Sequence, residues 1–200
     1  MSDARVAMLE LDDARLAAER VGIPVSMADL SVFRVLLRHE SLAAAVYGLL
    51  RQLLWDGRLD QRLRELVIMR IGWAQGSDYE WTQHWRVARL LDVDEADLVG
   101  VRDWRANARF GPIERAVLAA TDETLESGAI SAATWTELEL HLPSADARVE
   151  LVVAIANWTM FAQLLRSLDV PLEPGVESWP PDNLPSPRSL IAPISALETT

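Results

Sequence analysis

The sequence predicts an all-α protein, and two observations support this. Apolar residues recur with the helical period of about 3.6 residues, and no segment shows the strict apolar–polar alternation of a half-buried strand. Cap and stop residues also divide this pattern into helices. Asp60, Ser77 and Ser131 each precede an apolar-periodic run, Pro112 suits the first position of a helix, and Gly128 suits a helix end.

These signals predict a series of helices over residues 3–21, 26–40, 41–55, 60–75, 77–91, 94–104, 113–127, 131–141 and 145–168. The last is long and strongly apolar, so most of its circumference should be buried, either within the domain or against another subunit. We expect His39 at the C-terminal end of the second helix, where an imidazolium is favourable. His141, near another helix end, is expected to be structural.

One helical domain is expected over residues 1–172, followed by a Pro-rich C-terminal extension over 173–200. Six of the ten prolines fall between 171 and 187, which excludes a helix there and favours an extended arm. Trp179 and Leu184 give this arm apolar side chains that could pack across a neighbouring subunit, and disorder is the alternative.

Composition excludes several classes of function. The net charge of −11 disfavours nucleic acid and anionic membranes as partners. The chain has no cysteine, which excludes disulfides, thiolate catalysis and cysteine–metal sites, and it has no lysine for Schiff-base chemistry. Phosphate-binding glycine motifs and HExxH are absent, so no cofactor and no metal are predicted. Lacking a signal peptide or a spanning apolar run, the protein is expected to be cytoplasmic.

The candidate catalytic residues lie in the helical pair between residues 60 and 91. Glu65 falls among the apolar residues of the first helix, while Glu80 and His84 are four residues apart on the second and therefore share a face. Two carboxyl groups and an imidazole between two helices suit proton transfer.

A purely structural interpretation of the same residues stays open. Ser77 and Glu80 have the spacing of a capping box, in which each side chain satisfies a backbone amide of the other residue. His84 then is a satisfied core histidine, and Glu65 a surface residue paired with Arg62 or Arg64. Spacing alone does not decide between the two interpretations.

This region resembles the core of the carboxymuconolactone decarboxylase family, which includes the AhpD-type alkylhydroperoxidases. The matching segments are Leu59-Asp60, Arg64-Glu65-Leu66-Val67-Ile68, Tyr79-Glu80-Trp81, His84, Ala88, Phe110, Glu114-Arg115-Ala116, Glu150-Leu151-Val152 and Val170-Pro171-Leu172-Glu173. Their order and spacing agree with the family over roughly residues 1–173. The resemblance implies an AhpD-like helical bundle and a symmetric homo-oligomer (dimer, trimer or hexamer).

The resemblance also implies which branch of the family fits. Ser77 and Glu80 stand where the peroxidase branch has its two cysteines, so thiol peroxidase activity is not expected. The decarboxylase-like branch carries a glutamate in place of the second thiol. Its reaction is the loss of CO2 from a carboxylated unsaturated lactone, without a metal or an organic cofactor.

On this hypothesis the protein is a cofactor-independent lyase acting on a small carboxylated substrate. His84 stabilises the developing enolate oxygen, Glu80 moves the proton and Glu65 orients His84. Hydrogen bonds from Ser77 and Tyr79, and walls formed by the indole rings of Trp73, Trp81 and Trp158, would bind the substrate. Two alternatives stay open: an isomerase, dehydratase or cyclase using the same groups, and a non-catalytic oligomeric ligand-binding protein.

Overall fold

The computed structural model describes residues 4–190, which contain nine α-helices and no β-strand. The all-α prediction is confirmed. The helices are α1 (Leu11–Arg20), α2 (Ser31–Leu36), α3 (Glu40–Leu54), α4 (Gln61–Gln75), α5 (Asp78–Leu90), α6 (Glu95–Gly100), α7 (Pro112–Ser127), α8 (Ala132–His141) and α9 (Ala145–Ser167). Short 3₁₀ turns occupy Val25–Asp29, Leu37–His39, Val101–Asp103 and Pro187–Leu190.

The described residues form two compact units. One contains residues 4–57 and 164–176, and the other contains residues 58–163 and 177–190. The helical pair that carries the candidate catalytic residues lies entirely in the second unit. The sequence-based division into a domain over 1–172 and an extension over 173–200 stays a prediction.

The first helix begins later than predicted, because the residues before Leu11 form hydrogen bonds with other segments of their own unit. The Arg5 backbone N–H donates to the Leu168 carbonyl at 2.8 Å, and that of Leu9 donates to the Arg34 carbonyl at 3.0 Å. Backbone groups that are paired in this way do not form helical hydrogen bonds. The prediction of a helix over residues 4–10 was therefore wrong, and residue 3 lies outside the described residues.

His39 has a different role from the one predicted. The helix predicted over 26–40 is broken into α2 and two 3₁₀ turns, and a new helix starts at Glu40. His39 is the N-cap of α3, where its Nδ1 accepts the Leu42 backbone N–H at 3.3 Å. His39 thus lies in the last turn of the preceding 3₁₀ segment, near the predicted helix end, and its side chain also caps the helix that follows.

Helix α4 is the central element of the second unit. It packs against α5, α6, α7 and the 3₁₀ turn of the arm, and its middle is buried on every side. Its buried residues are Leu63, Arg64, Glu65, Leu66, Val67, Ile68, Met69, Ile71 and Gly72. Charged side chains in such a position need compensating partners, because burial removes their hydration.

Helix α9 is also part of a core. By length and composition it could cross a membrane, a criterion that the core helices of water-soluble proteins also meet. Leu151, Ile155, Trp158 and Ala162 on one side of it are at most 2% exposed. This side packs as a core face, but other residues of the helix are exposed, so burial of most of its circumference is not seen within this chain and burial against another subunit stays a prediction.

Residues 177–190 fold back onto their own unit. Hydrogen bonds join them to Trp73, Asp78, Trp81, Thr82 and Arg102. The expectation of disorder was therefore wrong for these residues, because the indole of Trp179 has a buried position on the same chain, and packing against a neighbouring subunit stays a prediction. Residues 191–200 of the predicted arm lie outside the described residues.

The two helices of the candidate pair differ in how they begin. The Asp60 carboxylate accepts the Leu63 backbone N–H at 3.0 Å, as predicted for an N-cap. Ser77 occupies the N-cap position of α5, but its side chain makes no capping hydrogen bond. The capping-box interpretation of Ser77 and Glu80 was therefore wrong.

Asp60→Ala is expected to lower the free energy of unfolding by about 1 kcal/mol, because α4 loses its N-cap. The matched variant Ser77→Ala removes a side chain that caps nothing and is expected to cause no such loss. Urea unfolding of both variants measures the difference. An equal loss in Ser77→Ala would show that Ser77 caps α5 after all.

Candidate active site in the α4–α5 hairpin

Helices α4 and α5 form an antiparallel hairpin and approach each other closely, because Gly72 lies where they touch and Gly76 lies at the turn between them. A Cβ atom on Gly72 would lie 3.1 Å from the backbone nitrogen of Trp81, so only glycine permits this separation without a shift. Gly76 ends α4 in the left-handed conformation with φ 69°, and Ser77 then leads into α5. This antiparallel arrangement brings Glu65 next to His84.

Glu65 is completely buried, and both of its carboxylate oxygens have charged or polar partners. Arg64 donates to Oε1 through Nε at 3.0 Å and Nη2 at 2.9 Å, and the Arg64 side chain is itself only 4% exposed. His84 Nδ1 lies 2.8 Å from Oε2. The surface interpretation of Glu65 was therefore wrong, although its pairing with Arg64 was correctly foreseen.

The hydrogen bonds of His84 define its protonation. The Trp158 indole Nε1–H donates to His84 Nε2 at 3.1 Å, so Nε2 is the accepting nitrogen. Nδ1 then carries the proton and donates it to Glu65. In this arrangement the imidazole is neutral, with both ring nitrogens engaged. Arg64, Glu65, His84 and Trp158 thus form one continuous hydrogen-bonded chain.

Glu80 has the opposite environment to Glu65. It is 2% exposed, and neither carboxyl oxygen has a hydrogen-bond partner among the residues that the structure describes. Burial raises the pKa of Glu80 well above its ordinary value, because no nearby cation or donor stabilises the charged form. Burial therefore favours the neutral acid form of this side chain. It lies one helical turn from His84, a spacing that places the two Cβ atoms roughly 6 Å apart.

Two further polar side chains in this unit are buried without hydrogen-bond partners. The Ser77 hydroxyl is 1% exposed, and Asn157, which precedes Trp158 on α9, leaves both atoms of its amide group unpaired within residues 4–190. Buried polar atoms without partners are rare in native structures and destabilise the fold. Their presence beside Glu80 and Trp158 favours a site that binds something over a purely structural core.

The aromatic residues predicted to line the site are divided between two places. Trp158 contacts His84, as described above. Trp73 and Trp81 instead pack against Trp179 of the arm, with ring centroids 5.9 and 6.0 Å from it, and Trp81 is fully buried. Tyr79 is 7% exposed on the first turn of α5. The tryptophans at positions 73 and 81 thus support the arm in this state.

Comparisons with known proteins concern the family and the fold. Over residues 40–123 the chain matches the carboxymuconolactone decarboxylase family. The family resemblance inferred from the sequence is confirmed, and the matched region includes Glu65, Ser77, Glu80 and His84. No curated protein matches the chain in sequence.

Solved structures with an AhpD-like fold match most of the chain. A peroxidase-related protein with an AhpD core from Ralstonia eutropha JMP134 has a TM-score of 0.71 at 16% identity, covering 87% of this chain and 94% of its own. The debrominase Bmp8 has a TM-score of 0.68 at 20% identity, covering 84% and 91%, in a complex with 2,3,4-tribromopyrrole. A putative antioxidant defence protein AhpD from Agrobacterium tumefaciens has a TM-score of 0.59 at 22% identity, covering 64% and 88%. These likenesses show the fold.

A cavity of about 650 Å³ lies away from the candidate active site, against the C-terminal half of α4, against α7 and against the arm. Its lining includes Arg70, Trp73, Arg102, Asp122 and Arg188, and none of Glu65, Ser77, Glu80 or His84 contributes to it. Because none of the acid–base residues lines it, the cavity is separate from the candidate active site. Its volume is large enough for a small molecule.

Sequence reasoning missed three contributors. Arg64 was seen only as a surface partner, although its place within a run of apolar residues on a buried helix indicated burial. Asn157 gave a comparable signal, because it interrupts the apolar sequence of α9. The contact between the arm and Asp78 had no signal in the sequence, since it joins residues about 100 positions apart.

Among the described residues no group of histidine and acidic side chains could hold a metal ion.

The two buried glutamates are expected to respond to mutation with opposite signs. Glu80→Met removes an unpaired buried carboxyl and should raise the free energy of unfolding at pH 7–8 by about 1–3 kcal/mol. Glu65→Ala separates the buried Arg64 guanidinium from its carboxylate and should lower it by about 3–5 kcal/mol. Urea unfolding across a pH series measures both effects.

The pH dependence of the Glu80→Met effect follows from the raised pKa of Glu80. The folded protein holds a proton that the unfolded chain releases above a pKa of about 4.3, so the native protein loses stability as the pH rises from there towards the folded pKa. The gain from Glu80→Met should therefore grow from pH 4 to neutrality. A destabilising effect at every pH would mean that Glu80 has a stabilising partner.

Proposed function

We propose that this chain is a cofactor-independent acid–base enzyme, a lyase that removes CO2 from a carboxylated unsaturated lactone or a similar small acid. The observation that carries the proposal is the buried carboxyl of Glu80, which has no hydrogen-bond partner among the described residues and lies one helical turn from the Glu65–His84 pair. The match to the carboxymuconolactone decarboxylase family supports it.

The chemistry requires only a proton donor and a place for negative charge. When the C–C bond to the carboxylate breaks, its electron pair moves into the conjugated carbonyl and forms a dienolate, and CO2 leaves. The dienolate carbon then takes a proton. A carboxyl group that is held away from water, and whose pKa burial raises, is suited to donate it. We assign this step to Glu80.

The hydrogen-bonded chain around His84 suits the complementary role. Because Nδ1 donates to Glu65 and Nε2 is an acceptor, the imidazole in this state presents a basic nitrogen and no free donor. We therefore propose that His84, oriented by Glu65, takes up a proton at Nε2 when the Trp158 indole releases that nitrogen, and returns the proton to Glu80 after turnover. This differs from the role of enolate stabiliser expected from the sequence. The unpaired Ser77 hydroxyl at the start of α5 is the better donor for the enolate oxygen.

The lack of cysteine separates this proposal from the thiol chemistry of peroxidases. Ser77 and Glu80 occupy the two positions at which the peroxidase branch has its cysteines, and neither can form a disulfide. Decarboxylation followed by protonation of the dienolate requires no thiol and is compatible with the groups present.

We also propose that the enzyme works as a homo-oligomer. Helix α9 carries exposed apolar residues at helical spacing, Val149, Val152, Val153 and Met160, which are 37–63% exposed. An apolar stripe of this kind is typical of a helix that packs against another surface. Sedimentation velocity of the protein, compared with a Val149→Glu/Val153→Glu variant, tests this part of the proposal. A monomeric wild-type protein would contradict it.

Incubation with carboxylated unsaturated lactones in D2O tests the proposed reaction. CO2 release, with one deuterium incorporated at carbon in the product, is expected from the wild-type protein. Glu80→Gln should reduce the rate by about 10²–10⁴-fold while the fold is retained, as for removal of a general acid. Glu19→Gln, at an exposed position far along the chain from the site, serves as the matched control.

The alternatives give different results in the same assay. Deuterium exchange into the acid without CO2 release would indicate an isomerase or dehydratase that uses the same groups. Neither CO2 nor exchange, with ligand binding unaffected by Glu80→Gln, would indicate a non-catalytic binding protein and contradict the proposal.

A further inference from the structure

The cavity of about 650 Å³ in the second unit has no part in the proposed reaction. Arg70 and Trp73, which line it, lie five and eight residues after Glu65 on α4, about 8 and 12 Å farther along the helix axis. Its other walls come from α7, from the 3₁₀ turn at Arg102 and from residues 186–188 of the arm. The cavity is therefore a separate place in the same unit where a small molecule fits.

Arg70 and Asp122 build one wall of this cavity and use their charges on each other. Arg70 donates through Nε and Nη2 to the two Asp122 oxygens, at 2.6 and 3.1 Å, and through Nη1 to the carbonyls of Val101 and Arg102. Asp122 also accepts a hydrogen bond from Arg105 at 2.7 Å. These two side chains are fixed in place by their own partners, so other groups must determine what the cavity binds.

Arg102 lines the cavity with hydrogen-bond donors that the protein does not use. A guanidinium has five N–H bonds, and the side chain of Arg102 is only 11% exposed. Within residues 4–190 it donates two hydrogen bonds, both to Asp182, at 2.7 and 2.9 Å, while its Nε is buried without a partner. A nearly buried cation with unused donors is suited to accept a further anionic oxygen.

Trp73 supports this guanidinium and also offers an apolar surface. The Arg102 guanidinium carbon lies 4.7 Å from the ring centroid of Trp73 and 4.9 Å from that of Trp81. Because the guanidinium is already held in one position, binding an anion requires little further ordering of its side chain. The half-buried indole of Trp73 lines the same cavity and places a flat ring beside the cation.

The charges around the cavity favour an anionic ligand. Three arginines line it against two acidic residues, in a chain whose net charge is −11. Arg188 and Glu126 are exposed, and neither forms an ion pair within residues 4–190. Arg188 is therefore available to a second anionic oxygen, whereas Glu126 repels an anion and should weaken its binding.

We propose that this cavity binds a small organic anion, a carboxylate or a phosphate ester that carries a flat apolar group. The anionic oxygens accept hydrogen bonds from Arg102 and Arg188, and the flat group lies against Trp73. Neither the site nor its ligand depends on the proposed lyase reaction. The ligand also contacts the arm, since Ser186, Pro187 and Arg188 form part of the wall.

Isothermal titration calorimetry of the full-length protein with benzoate and with phenyl phosphate tests the proposal. At least one of the two should bind to a single site with a Kd of about 1 mM or lower. Benzamide, which has the shape of benzoate without its charge, should bind about tenfold more weakly. Binding of benzoate alone would identify a carboxylate site, and binding of phenyl phosphate alone would identify a site for phosphate esters.

Two variants of the Arg102–Asp182 pair separate ligand binding from support of the arm. Both weaken the same ion pair. Arg102→Lys loses the planar fork of donors and should weaken binding of the anion about tenfold. Asp182→Asn frees the guanidinium from its carboxylate and should strengthen binding about threefold. Equal weakening in both variants would mean that Arg102 acts only by holding the arm, and would overturn the assignment.

Variants at the exposed charges give effects of opposite sign. Arg188→Gln should weaken binding about fivefold, and Glu126→Gln should strengthen it about twofold. The matched control Arg86→Gln removes an exposed arginine of α5 that does not line the cavity, and should leave the Kd unchanged. An equal effect of Arg86→Gln and Arg188→Gln would show a response to net charge alone and would contradict the proposed site.

A cavity-filling variant tests the location of the ligand. Ala74 lines the cavity, so Ala74→Phe should abolish binding, whereas Ala133→Phe, at an exposed position of α8, should not. Retained binding in Ala74→Phe would place the ligand elsewhere and overturn the proposal. Absence of saturable binding of both acids, or binding of benzamide as tight as that of benzoate, would also overturn it.

Discussion

The site depends on how one short helical hairpin buries two carboxyl groups in opposite ways. Glu65 is surrounded by donors, since Arg64 and His84 together satisfy both of its oxygens. Glu80, on the facing helix, has none among the described residues, and its burial therefore favours the neutral acid. The same hairpin thus gives one carboxyl group charged and polar partners and leaves the other without any, and the proposed division of roles between the two glutamates rests on this difference.

The sequence was informative wherever local rules decide the structure. The all-α fold, the Asp60 cap, the Gly128 stop and the approach of Glu65 to His84 follow from helical period, cap chemistry and family resemblance. Local sequence rules failed where hydrogen bonds or packing with segments distant in the chain replace the local structure that they predict. The residues before Leu11 pair with Leu168 and Arg34, and Ser77 does not cap α5 although its spacing to Glu80 is that of a capping box. The docking of Trp179 beside Trp73 and Trp81 joins residues about 100 positions apart, which no periodicity reveals.

The hydrogen-bonded chain around His84 illustrates how neighbouring groups determine whether each ring nitrogen of a histidine donates or accepts. A histidine four residues after a glutamate could be a donor, an acceptor or a cation, and the sequence does not distinguish these forms. The Trp158 indole decides the matter, because an N–H donor facing Nε2 requires a lone pair there. The side chain first regarded as a wall of the pocket thereby selects the tautomer of the residue beside it.

Gly76 connects the hairpin to the evolution of the arm. Its φ of 69° is accessible to asparagine as well as to glycine, but the backbone of Ser189 leaves no room for any side chain at this corner. A relative that ends before the arm is free to accept asparagine there, whereas one that keeps the arm is restricted to glycine. A residue other than glycine at this corner of a similar sequence therefore indicates that no such arm lies against it.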